Sequence, residues 1–81
     1  MKNRNLAVKT LKKGGKVWVN TWSQDCDGCW SQGSDEIKSV QDIIDFEKAF
    51  DYNIEWADGP MNYSYVFDES EALPYLKGGS W

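Results

Sequence analysis

Lys16-Val17-Trp18-Val19-Asn20-Thr21-Trp22 is the stretch on which the fold turns. Its two-residue alternation puts Val17, Val19 and Thr21 on one face, and Trp18, Asn20 and Trp22 on the other. Both faces carry apolar groups, which predicts a strand near the centre of a sheet. Moving forward, Asp25-Cys26-Asp27-Gly28 supplies turn formers. Cys29 to about Glu36 then reads as a more polar return strand, weakened by Gly33 and Ser34.

Backward from the central strand, Leu6-Ala7-Val8-Lys9-Thr10-Leu11 admits two readings. As a strand, it pairs with the central one across Lys12-Lys13-Gly14-Gly15, whose glycines supply positive φ. As a helix, it ends at the same glycine pair as a C-cap. The β-branched Val8 and Thr10 and the shortness of the run favour the strand.

Further forward, Val40 to Tyr52 reads as a helix. Ser39 is its N-cap, with Asp42 three residues later. Val40, Ile43, Ile44, Phe46 and Phe50 form the apolar stripe. Asn53 suits a left-handed C-cap, with Ile54 packing back on the last turn. Asp51 opposes the helix dipole there. Glu55 to Pro60 is a connector closed by Gly59-Pro60. Met61 to Phe67 alternates as another strand. Asp68-Glu69-Ser70-Glu71 is an acidic turn or a helix start, and Pro74 stops anything helical.

The expected fold is α+β: an antiparallel sheet of three or four strands with one helix packed on one face, in the order (β)ββαβ. With 81 residues, the chain forms one domain, 1–81, with flexible ends at 1–5 and 77–81. Five Trp, four Tyr and three Phe suit a core with few positions, because aromatics bury large areas per residue.

The net charge of −4 conceals an asymmetry. Lys2, Arg4, Lys9, Lys12, Lys13 and Lys16 precede every acid in the chain. All 13 acids follow, accompanied only by Lys38, Lys48 and Lys77. The acidic body argues against nucleic acid as the main partner. The basic stretch either lies against that acidic face, stays solvated, or binds phosphates through Lys12, Lys13 and Lys16. There is no histidine, which removes the commonest general base and the commonest zinc ligand. No apolar run is long enough to span a membrane, and no secretory signal is visible. The expected location is the cytoplasm, with no membrane partner.

Thr21 to Gly28 after the central strand, and Glu55 to Pro60 after the helix, together resemble a loose group of small uncharacterised bacteriophage proteins with Asp-Cys-Asp-Gly and Ala-Asp-Gly-Pro turns. The likeness covers about residues 16–67. It implies no catalytic residues. It implies a setting, the host-cell cytoplasm, and a kind of work, binding and modulating or inhibiting a host protein.

The candidate sites each have a plain alternative. Cys26 and Cys29 form a lone C-x-x-C that lacks the second ligand pair a zinc site needs, even with Asp25 and Asp27 nearby. Trp30 to Gly33 is not helical, so nothing lowers a thiolate pKa as a redox motif requires. Two reduced cysteines flanking a turn is the simpler reading, with no metal and no cofactor. A calcium loop starting at Asp25 fails because Trp30 stands where glycine is required. The scattered carboxylates read as a solvated acidic face, since a small single-core body rarely builds the cleft a glycosidase needs.

Tryptophan in or beside loops is different. Trp22, Trp30 and Trp56, with Asp58, Asp68, Glu69 and Glu71, have the composition of a protein-binding surface. The leading expectation is therefore a small, acidic, non-enzymatic binding module. Its partner would be a host protein with a basic surface, such as a nucleic-acid-processing or defence enzyme. The alternatives are nucleic-acid binding by the basic N-terminal hairpin, and a cysteine-based metal or redox protein.

Overall fold

The computed structural model describes residues 3–25, 28–57 and 59–78. Six main elements follow in order: α1 (Arg4–Lys12), β1 (Val17–Gln24), β2 (Trp30–Ile37), α2 (Val40–Glu55), β3 (Met61–Val66) and β4 (Leu76–Gly78). A short 3₁₀ turn, Glu69–Glu71, lies between β3 and β4. The architecture is α+β, as expected, with one more helix than expected.

The sheet has four strands in the order β3-β1-β2-β4, and every pairing is antiparallel. β1 is central, as its two apolar faces required. Val19 stands opposite Tyr65 on β3 and Asp35 on β2. The β1–β2 hairpin is closed at Asp25 and Cys29. The Asp25 N–H donates to the Cys29 carbonyl at 2.8 Å, and the Asp25 carboxylate accepts from the Cys29 N–H at 2.9 Å. Gly28 sits at φ 83°, a conformation that costs a residue with a Cβ.

The stretch 6–11 is helix, not strand, so the basic N-terminal hairpin does not exist. Ala7, Val8 and Leu11 form one side of α1, and that side packs on the core. The Gly14–Gly15 pair ends the helix: Gly15 N–H donates to Thr10 O, and Gly14 N–H to Leu11 O. With Gly14 at φ 82°, this is a Schellman C-cap. The observed order is αββαββ, in place of (β)ββαβ.

α2 starts as read. The Ser39 hydroxyl accepts from the Asp42 N–H at 3.2 Å, and the Asp42 carboxylate reaches back to the Lys38 N–H at 3.0 Å. It does not stop at Tyr52, however. Asn53 stays helical, the helix runs on through Glu55, and Trp56 is the C-cap.

Both helices cover one face of the sheet. Ala7, Val17, Val19, Ile37, Ile43 and Tyr65 make a single core, with Phe46, Tyr63 and Phe67 packed against it. Phe50 and Phe46 meet Tyr63 edge-on at 4.6 and 5.0 Å between ring centroids, the geometry that ring quadrupoles favour. Glu47 ties three elements together. It pairs with Arg4 of α1 at 2.8 Å and accepts from the hydroxyls of Tyr63 and Tyr65 on β3 at 3.4 and 3.3 Å.

β3 and β4 lie on opposite edges, so the chain between them must cross the sheet. It crosses the face opposite the helices. The Asn20 side chain pins it, donating to Glu71 O at 3.0 Å and accepting from the Leu73 N–H at 3.1 Å. Gln32 also reaches Pro74 O at 3.5 Å. The ends expected to be flexible, 1–5 and 77–81, each include residues of regular structure. Arg4 and Asn5 open α1; Lys77 and Gly78 belong to β4. Residues 1, 2 and 79–81 lie outside the described residues. Among those described, no helix is long and apolar enough to cross a membrane.

A candidate binding surface on the last turn of α2

α2 ends with an unusual surface. Asp51 and Glu55 are four residues apart, and so are Tyr52 and Trp56. Helical geometry sets each pair on one strip, and the two strips lie side by side. All four residues are exposed; Tyr52 and Trp56 are 66% and 73% accessible. Ile54 is also exposed, so it does not pack back on the helix as read. No cation stands in this last turn. Two acids four apart repel each other, and both oppose the negative end of the helix dipole. The turn thus combines unburied aromatic area with unrelieved negative charge.

An open cavity of about 300 Å³ adjoins it at the hairpin end of the sheet, lined by Trp56, Trp30, Met61, Cys29, Asp25 and Lys77 among others. On its floor the hydroxyls of Ser23 and Ser31 are 3.2 Å apart. Trp30 is half-buried because its indole lies across Gly78: a Cβ on Gly78 would collide with the ring. Gly59 likewise lies against the Gln24 carbonyl, closing this end of β1.

The other expected site residues do not gather here. Trp22 is half-buried in the sheet and borders a separate cavity of about 180 Å³ with Phe46 and Phe50. Glu69 and Glu71 sit in the 3₁₀ turn, and Asp68 caps it, accepting from the Ser70 N–H at 3.0 Å. That bond holds the Asp68 carboxyl below the usual carboxylate value. These acids follow the end of β3 that pairs with Trp18, at the opposite end of β1 from Trp56. Asp58, Cys26 and Asp27 lie outside the described residues. Cys29 is a free, half-buried cysteine, and among the described residues no three Cys, Asp or Glu side chains group as metal ligands would.

The basic residues divide. Arg4 is taken up by Glu47, whose hydrogen bond and charge raise the guanidinium pKa further. Lys12, Lys13 and Lys16 are exposed. Among the described residues Arg4–Glu47 is the sole ion pair, so Lys12, Lys13 and Lys16 are exposed without an ion-pair partner among them.

Sequence reasoning found Trp56 but not Tyr52. The signal was present: Tyr52 lies two residues after Phe50, off the apolar stripe. No known family matches the chain, and no curated protein or solved structure matches it.

Proposed function

We propose that this chain is a small, acidic, non-enzymatic binding module, of the accessory kind encoded by bacteriophages, that docks on a basic surface of a host protein and modulates or inhibits it. A nucleic-acid-processing or defence enzyme is the partner class with such a surface. The observation that carries this reading is the last turn of α2, where Tyr52 and Trp56 stand exposed beside Asp51 and Glu55. An arginine of the partner would stack on the Trp56 face and pair with Glu55 at once, a combination suited to a planar guanidinium. Burial of Trp56 removes a large aromatic area from water. An aromatic anchor of this kind is worth about 2 kcal/mol or more at an interface centre, or roughly 30-fold in Kd.

The test is an affinity capture from host lysate, with and without nuclease, using the wild type and the Trp56→Ala and Glu55→Lys variants. The expected result is one host protein held after nuclease treatment by the wild type and lost from both variants. Equal capture by all three proteins refutes the assignment of this surface. Because Trp56 contributes little to the core, both variants should unfold at the wild-type temperature.

A further inference from the structure

α1 turns its charge away from the core. Ala7, Val8 and Leu11 pack inward, while Lys9, Lys12 and Lys13 occupy the opposite side at i, i+3 and i+4 spacing, all exposed. The Schellman cap keeps Lys16 close. Gly15 lies so near Thr10 that a Cβ there would stand 2.6 Å from the threonine methyl, so the chain folds back on the last turn before Lys16 leaves it. Four ammonium groups thus share the C-terminal end of one helix, and none of them is in an ion pair with a described acid. The helix dipole accommodates Lys9 and Lys12 in the last turn, but Lys9 and Lys13 repel each other.

No described acid is paired with this patch. The acidic last turn of α2 lies at the far end of β1, whose eight residues put it ~26 Å away. That is about three Debye lengths at physiological salt. Asp35 and Glu36 on β2, Asp42 and Asp45 at the start of α2, and Asp68, Glu69 and Glu71 after β3 are at the same end of the sheet as the lysines, but none of them is in an ion pair with Lys9, Lys12, Lys13 or Lys16.

We infer that the Lys9, Lys12, Lys13 and Lys16 face of α1 is a second binding surface, which contacts the phosphate backbone of nucleic acid without reading sequence. Side chains three and four apart on a helix are ~5–6 Å apart at Cβ, and lysine arms of this length reach successive phosphates. An anionic membrane fits less well. A membrane-surface helix needs an apolar face to insert, and α1 has committed its apolar face to the core, leaving only Leu6 half exposed.

The test is fluorescence anisotropy with a labelled DNA duplex of arbitrary sequence, titrated at several salt concentrations. Four phosphate contacts give a log–log salt slope of about −3.6, and an affinity loss of roughly 100-fold between 50 and 200 mM salt. Each single Lys→Gln change should reduce the slope by about 1. The combined K9Q, K12Q, K13Q and K16Q variant should abolish binding, while K48Q on α2 leaves it intact. Trp56→Ala should leave this binding untouched, which separates this surface from the α2 turn. Absence of binding at low salt, unchanged binding by a folded quadruple variant, or tighter binding to anionic phospholipid vesicles than to the duplex would each overturn the inference.

Discussion

Asn20 is the side chain whose loss should reveal how the strap is held. It is 8% exposed and stands on the sheet face opposite the helices. Its amide makes two hydrogen bonds to the strap backbone, at Glu71 and Leu73. Asn20→Ala removes both and leaves a backbone N–H and a carbonyl without their partner. A net hydrogen bond is worth about 1 kcal/mol, and a buried group left unsatisfied costs about 1–3 kcal/mol. Because Leu73 is half-buried and Glu71 exposed, water relieves part of this, and a total loss of about 2–3 kcal/mol is expected. For a domain of this length that is a large share of a stability of roughly 4–12 kcal/mol. It corresponds to about 10–20 °C in Tm. Asn20→Leu fills the space without restoring the bonds, so it separates the void from the hydrogen bonds. Urea unfolding gives the energy, and hydrogen exchange at the Leu73 amide and along β4 gives the location. If both variants lose less than about 0.5 kcal/mol and exchange at Leu73 is unchanged, the strap is not held by Asn20 and the reasoning fails.

Two further outcomes follow from single residues. Gly14→Ala should cost about 1 kcal/mol, visible as a lower melting temperature. Its added Cβ meets nothing within 4 Å, so the cost is conformational only, and Gly14→Asn should recover part of it; an alanine variant as stable as wild type would disprove the left-handed cap. Burial first, and the Glu47 charge second, raise the Tyr65 hydroxyl above its ordinary value of 10.0, and Tyr63 is raised by the same two causes. The folded state therefore holds these protons more tightly than the unfolded one. Stability should be fully present below pH 10 and fall as pH rises above it. Urea midpoints measured from pH 8 to 11 should fall less steeply for Tyr65→Phe than for wild type, and identical slopes would sink the assignment.

The parts of the fold legible in the sequence are those whose pattern is local. Val17, Val19 and Thr21 alternate with Trp18, Asn20 and Trp22, and that alternation alone placed β1 at the sheet centre. Ser39, Asp42 and the stripe from Val40 to Phe50 marked the start of α2 for the same reason. The end of α2 was less legible, because Asn53 can cap a helix or continue it. The helix runs on through Glu55 although Asn53, Ile54 and Glu55 are exposed, and this places Tyr52 and Trp56 on one exposed strip.

What the tertiary structure alone decided is where distant segments meet. A nine-residue helix is not stable by itself, and Val8 and Thr10 prefer strands. α1 forms because Ala7, Val8 and Leu11 bury against β1, β3 and α2 in the helical conformation and its C-terminal carbonyls find the Gly14–Gly15 cap. β4 has three residues and no pattern of its own. It exists because Asn20 holds a carbonyl 51 residues away and brings Leu76 to Gln32. Local periodicity is written in neighbouring residues and survives reading in isolation. A short element's conformation depends on the surface it covers, and that surface is assembled only when the chain has folded.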